Sequence, residues 1–213
     1  MNKETPLIIL CGGKSQRVGE PKGLILVENK FWLEHQFDRF SKISGEKIIV
    51  VLGYHYQKYL AALNYLKMGE WACYKKIRIF TTLNESPSRG SFSSLQEGLK
   101  IFLEMPEKQV LMTPVDVSIS TLLKTPLLGG KYFVKKYYYK NKSGHPILLS
   151  KQFVKHLLGL GSKNRLDHII ARLNSEKICC GKINDSTILE NLNNKSDWQY
   201  YKTSNHQEFD HLI

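Results

Sequence analysis

At 213 residues, 42% hydrophobic and 23% charged, the chain is long enough to bury its own core and too apolar to be disordered. Its 31 Lys and Arg against 19 Asp and Glu give a net charge of +12, which favours anionic or phosphorylated partners. The basic residues are spread along the chain rather than gathered in a tail, which argues against nucleic acid, and Cys11, Cys73, Cys179 and Cys180 form no Cys-x-x-Cys pair, which argues against a zinc or disulfide framework.

Free thiols, no signal-peptide layout and no apolar run of membrane-spanning length lead to the expectation of a cytoplasmic chain with no membrane partner. Leu7-Ile8-Ile9-Leu10 is continuously apolar, as a strand buried on both faces is. A glycine-rich stretch follows to Lys22, and a helix is expected after it. Trp32, Phe37, Phe40 and Ile43 share one helical face, residues 47–52 read as a strand, and Leu60, Leu63, Leu66 and Met68 suggest a second helix. Residues 77–82 read as a strand, Phe92, Leu95, Leu99, Phe102 and Leu103 mark a third helix, and residues 109–112 form a fourth strand. Beyond Pro114 the rhythm changes. Strands are expected within 131–149 around a turn at 141–144, helices at about 150–159 and 165–174, and strands near 177–183 and 187–192. Strands alternating with amphipathic helices imply a mostly parallel sheet covered on both faces. We expect one domain over residues 1–202 and a loosely ordered tail over 203–213.

Most of the chemistry is concentrated after the first strand. Where a buried parallel strand ends, an α/β sheet presents backbone N–H groups to ligands. Gly12 and Gly13 let the backbone of Leu10, Cys11, Lys14 and Ser15 approach an anion closely, and Arg17 and Lys22 add fixed positive charge. Gly13-Lys14-Ser15 looks like the end of a Walker A loop, but the leading glycine of that motif would fall at Ile8. Gly12, Gly13 and Gly19 also miss the dinucleotide spacing.

Downstream, Asn84-Glu85-Ser86-Pro87-Ser88-Arg89-Gly90 leads into Ser91, Ser93 and Ser94 at a helix start, a place that either caps the helix or receives an anion. Asp116 follows the fourth strand at the ligand-bearing edge. It is a turn residue or a ligand for Mg²⁺, which takes one or two protein oxygens beside substrate phosphates. The run from Lys131 to Lys140 interleaves aromatics with cations and reads as a β-hairpin arm with one wet face.

The stretch Leu10-Cys11-Gly12-Gly13-Lys14-Ser15-Gln16-Arg17-Val18-Gly19-Glu20-Pro21-Lys22 resembles the signature Leu-x-Gly-Gly-x-Ser-x-Arg-Met-Gly-x-x-Lys of the MobA-like NTP transferases, with Val18 in place of Met. That resemblance implies a Rossmann-like three-layer α/β/α fold of the nucleotide-diphospho-sugar transferase type. It implies that the loop, Arg17 and Lys22 hold a triphosphate, that Asn84, Gly90 and Ser94 belong to a nucleobase loop, and that Asp116 binds Mg²⁺. Gly144-His145-Pro146 resembles the segment bordering the acceptor. Asn191-Leu192-Asn193 resembles the family's end motif without its Thr-Pro, and there Asn193, or failing it Asn191, completes the metal site.

The implied reaction transfers a nucleotidyl group from an NTP to a phosphorylated acceptor. Ser93-Ser94-Leu95 and Gly144-His145-Pro146 lean towards CTP, while Gly12-Gly13 and the Asn-x-Asn ending lean towards GTP. A sugar-phosphate or alcohol-phosphate acceptor stays open, as does a binding protein that keeps the loop without transfer.

Overall fold

The structure is a computed structural model, and it describes residues 5–43 and 45–209. Strand β1 (Leu7–Cys11) is fully buried and runs into the glycine-rich loop. Between that loop and the expected helix lie a 3-10 turn at Lys22–Leu24 and a small hairpin of β2 (Leu26–Val27) and β3 (Lys30–Phe31). Glu28 and Asn29 turn the hairpin in left-handed conformations, with φ of 48° and 61°, as a two-residue loop between antiparallel strands requires.

Helix α1 (Trp32–Ile43) buries Trp32, Leu33, Gln36, Phe37, Phe40 and Ile43, the stripe its spacing predicts. Strand β4 (Lys47–Leu52) is followed by α2 (Tyr56–Ala62). The expected helix through Met68 therefore stops early. Leu63 and Leu66 are buried in a turn, Met68 bridges Thr81, and Gly69 at φ 75° reverses the chain. Strand β5 (Trp71–Tyr74), not anticipated from the sequence, forms a hairpin with β6 (Ile77–Leu83). Helix α3 (Ser91–Leu103) leads to β7 (Gln109–Pro114), and β8 (Val134–Tyr139) and β9 (Lys142–Ser150) make the anticipated hairpin.

Helix α4 (Lys151–Leu158) is N-capped by Ser150 Oγ, which accepts from the Phe153 N–H. Then come α5 (Leu166–Ala171), β10 (Ile178–Lys182) and α6 (Lys195–Phe209). The strand expected at 187–192 is instead a 3-10 turn at Ser186–Leu189, capped by Asp185, whose carboxylate accepts from the Thr187 N–H. Ile188 is buried there, and its carbonyl lies where any Cβ on Gly144 would have to sit. The segment docks against β9 through that close approach rather than pairing as a strand. Helix α6 runs into the stretch expected to be a loose tail, and residues 210–213 of that stretch lie outside the described residues.

Eight strands form one mixed, largely parallel sheet in the order β10-β8-β9-β7-β1-β4-β6-β5. β1 is central and parallel to β4 on one side and β7 on the other. Alternate residues of the sheet face opposite layers. Leu7, Ile9, Ile48 and Val50 pack with α1 and with Trp198 and Tyr201 of α6, whereas Ile8, Ile49 and Val51 pack with α3 and α4. This is the three-layer α/β/α architecture expected above.

Helix α3 approaches the sheet closely through Gly98, where a Cβ would lie 2.8 Å from Ile8 Cγ2 and 2.9 Å from Val51 Cγ2. Gly98→Val should therefore lower stability by about 1–3 kcal/mol through overpacking, despite the gain in helix propensity. Urea denaturation checks this, and an unchanged midpoint would remove the close-contact account.

Candidate active site

Because β1, β4 and β7 are parallel neighbours, their carboxyl ends open onto one edge, and a cleft of about 570 Å³ lies there. Its wall includes Leu10, Cys11, Gly12, Gly13, Lys14, Ser15, Arg17, Lys22, Gly90, Ser94, Asp116 and Asn193, so the loop, nucleobase-loop and metal candidates meet at one place, while Asn84, His145 and Asn191 are not among its lining residues.

Backbone packing dictates the glycines at its base. A Cβ on Gly53 would lie 2.7 Å from both the Gly12 Cα and its carbonyl oxygen, and one on Gly12 would lie 2.7 Å from Ser94 Oγ. Ser15 takes a left-handed φ of 51° and its carbonyl accepts from the N–H groups of Val18 and Gly19, closing the loop into a turn. Val18 is buried and anchors the turn in the core. Ser15 Oγ accepts from the Lys22 N–H at 3.3 Å, and the His55 ring donates through Nε2 to the Lys14 carbonyl at 2.8 Å. The loop is thus fixed at both ends before any ligand arrives.

Lys22 Nζ donates to Asp116 Oδ2 at 2.6 Å and to Asn193 Oδ1 at 3.0 Å, while Arg17 Nη2 donates to the same Asn193 oxygen at 3.4 Å. Asp116 is placed from both sides. The carbonyl of its neighbour Val115 accepts from Trp32 Nε1, and its own carbonyl accepts from the Leu192 N–H at 2.9 Å. Asn193 sits at the start of α6, where Asp197 accepts from the Asn193 and Asn194 N–H groups and Asn194 accepts from the Asp197 N–H, a reciprocal cap. Asn191, the second choice from the sequence, contributes only its backbone carbonyl, to Asn193 Nδ2 at 3.3 Å.

Two oxygens, one carboxylate and one carboxamide, therefore converge on one cationic point beside an anion-accepting loop. That donor set fits a hard divalent cation that completes its shell with water and phosphate oxygens. Among the described residues no group of three or more His, Cys, Asp or Glu side chains could cage a metal alone.

Asn84 is placed differently from the other candidates. It is buried behind the cleft wall, where its Nδ2 donates to Ser93 Oγ at 2.8 Å and Ser94 Oγ at 2.9 Å, and its Oδ1 accepts from the Ser86 N–H. These bonds brace the loop that carries Gly90, at φ 101°, and Ser94.

Tyr54 and Tyr59 also line the cleft and were not anticipated. Tyr59 carries no sequence signal beyond its helical spacing. It is buried, and its hydroxyl accepts from the Gly23 N–H at 3.0 Å and contacts the Cys11 thiol. Burial pushes both the Cys11 thiol and the Tyr59 hydroxyl well above their ordinary values, so both stay neutral. Tyr54 lies on the rim, with Lys14 Nζ 5.0 Å from its ring centre.

The MobA-like NTP transferase domain model matches residues 7–177. A molybdenum cofactor guanylyltransferase of Campylobacter jejuni is 45% identical over 40 residues, a match spanning 19% of this chain and only 21% of that relative. Among solved structures, a nucleotidyl transferase from Methanothermobacter thermautotroptrophicus superimposes with a TM-score of 0.73 at 16% identity, over 94% of this chain and 96% of that one. A Mycobacterium tuberculosis protein solved in complex with manganese gives a TM-score of 0.65 at 13% identity, over 94% and 98%. The inositol-1-phosphate CTP transferase from T. maritima gives 0.64 at 10% identity, over 93% and 94%. At such identities these structures establish the fold.

His145 lies beside β7, with its ring bonded to the Met112 backbone and its Nδ1 buried without a hydrogen-bond partner among the described residues. Burial lowers its pKa below the ordinary 6.5. The unfolded chain then binds the extra proton more tightly, so stability is full above about pH 6.5 and is lost as pH falls through the lower folded-state value. Urea midpoints at about pH 7.5 and about pH 5 should differ less in His145→Gln than in the parent; equal slopes would discount His145 as a source of acid sensitivity.

Proposed function

The chain belongs to the MobA-like NTP transferase family, and from that membership we propose that it is a nucleotidyltransferase acting on a nucleoside triphosphate, CTP or GTP, and a phosphorylated small molecule. The observation that carries this is the convergence of Lys22, Asp116, Asn193 and Arg17 at the mouth of the Gly12-Gly13 loop. The curated relative is a molybdenum cofactor guanylyltransferase and one structural neighbour a CTP transferase, which supports a molybdopterin-type acceptor and leaves the base between C and G.

In the proposed reaction an oxygen of the acceptor phosphate attacks the α-phosphorus of the NTP. The new P–O bond forms as the bond from the α-phosphorus to the bridging oxygen breaks, and pyrophosphate leaves with the electron pair. The attacking oxygen is already anionic, so no side chain has to remove a proton. Positioning and charge neutralisation are what the protein must supply. Loop amides from Gly12 to Ser15 face the phosphates, and Arg17 and Lys22 offset the charge that accumulates on the leaving group.

Asp116 and Asn193 would hold Mg²⁺ through the oxygens that now meet Lys22. Its chemistry there is to neutralise phosphate charge and fix the phosphate oxygens. The four free cysteines are consistent with a cytoplasmic setting, and no helix among the described residues is long and apolar enough to cross a membrane.

A thermal-shift panel of CTP, GTP, UTP, ATP and dTTP with Mg²⁺ should single out one or two nucleotides. Once an acceptor is supplied, Lys22→Ala and Asp116→Ala should each slow pyrophosphate release by about 10²–10³. Full turnover in both variants, or in excess EDTA, would overturn the site and metal assignments.

A further inference from the structure

A second cavity, of about 860 Å³, opens on the α1 face of the sheet where β8 meets the edge strand β10. It shares no lining residue with the cleft described above. Its floor is the buried Tyr137, whose hydroxyl donates to the Lys124 carbonyl at 2.9 Å and so holds the opposite wall in place.

The lining has two chemistries and lacks a third. Leu122 and Leu127 are 59% and 56% exposed, two large apolar side chains left in water on one wall. Lys124, Lys135 and Lys182 also line it, no carboxylate does, and the ion pairs among the described residues involve none of the three. Gly181 makes the arrangement possible. A Cβ there would lie 2.7 Å from Lys135 Cε and 3.3 Å from the Tyr137 ring, so its absence lets the Lys135 stem cross the groove with its ammonium 5.2 Å from the Tyr137 ring centre.

An inorganic anion would satisfy the lysines and leave the leucines wet, and a neutral hydrocarbon would do the reverse. The occupant that satisfies both is an apolar body with an anionic head. We propose that this groove is a binding site, separate from the nucleotide cleft, for a small anionic amphiphile bearing a phosphate or carboxylate head. The apolar part lies against Leu122, Leu127 and the Tyr137 floor, and the head meets Lys135. The volume suits such a molecule, since small-molecule sites commonly span about 300–1,000 Å³.

Isothermal titration of the full chain with octyl phosphate, octanoate, 1-octanol and inorganic phosphate tests this. Octyl phosphate or octanoate should bind at a single saturable site, and the tighter of the two identifies the head group. 1-Octanol and inorganic phosphate should each bind at least about tenfold more weakly, the loss expected for one charge-assisted contact or its apolar counterpart. Leu127→Glu, at an exposed rim position, should weaken binding by about tenfold or more by placing a carboxylate beside the head. Gly181→Val should abolish binding by displacing Lys135, with nucleotide binding unchanged in both variants. If Gly181→Val does not fold, the rim variant decides alone. The proposal is overturned if neither amphiphile binds, if 1-octanol or inorganic phosphate binds equally well, if Leu127→Glu has no effect, or if a nucleotide displaces the amphiphile.

Discussion

A strand with parallel partners on both sides must release all three chains through the same edge, and β1 is such a strand. Its register sets Cys11 opposite Leu52 and Leu10 opposite Pro114, so the glycine loop, the Gly53-Tyr54 turn and Asp116 emerge side by side. Crowding follows directly. Gly12 and Gly53 approach until neither tolerates a Cβ, and Ser94 fills the remaining space. The cleft is narrow at its base because three backbones meet there, which is also why its base presents main-chain groups rather than side chains to a ligand.

The contacts of Lys22 extend that local arrangement across the chain. Its ammonium ties the loop after β1 to the end of β7 and to the cap of α6, segments separated by 94 and 171 residues. With side-chain exposures of 12% and 17%, Lys22 and Asp116 are too enclosed for water to solvate either charge well, so each is the other's principal compensation. On the proposed function this pairing has a further use. Asp116 and Asn193 already aim their oxygens at one cationic point, so a metal ion carrying phosphates finds ligands that need little reorientation.

What could be read from the sequence, and what could not, divides along the range of the interactions involved. The turn of the glycine loop and the stripes of α1 and α3 are set by neighbours within a few turns, and their spacing carried them. The strand expected at 187–192 failed because alternation of apolar residues does not reveal that Ile188 will press its carbonyl onto Gly144, 44 positions away by numbering (188 − 144). The α2 helix stopped at Ala62 because a bridge from Met68 to Thr81 captured the following residues for the sheet. That Asn84 braces its loop from behind could not be read locally, since only the folded chain shows that Ser93 and Ser94 return to meet it. Tyr59 reaches the loop from α2 through a hydroxyl that no local pattern marks.

The same sheet explains why one cleft is polar and the other groove amphipathic. Over the central strands, α1 and α3 cover the two faces continuously, and only the carboxyl edge is left to a ligand, where backbone amides, Arg17 and Lys22 dominate. Towards β8 and β10 the α1 face is covered instead by the irregular segment around Lys124, held by the Tyr137 hydroxyl and by Gln109, whose Nε2 donates to the Pro126 carbonyl. A loop cannot present the continuous side-chain ridge with which a helix fills a sheet face. The unfilled space retains the apolar character of a sheet interior while its rim takes on the basic character of the surface. A net charge of +12 with no carboxylate on that rim then makes the groove selective by sign as well as by polarity.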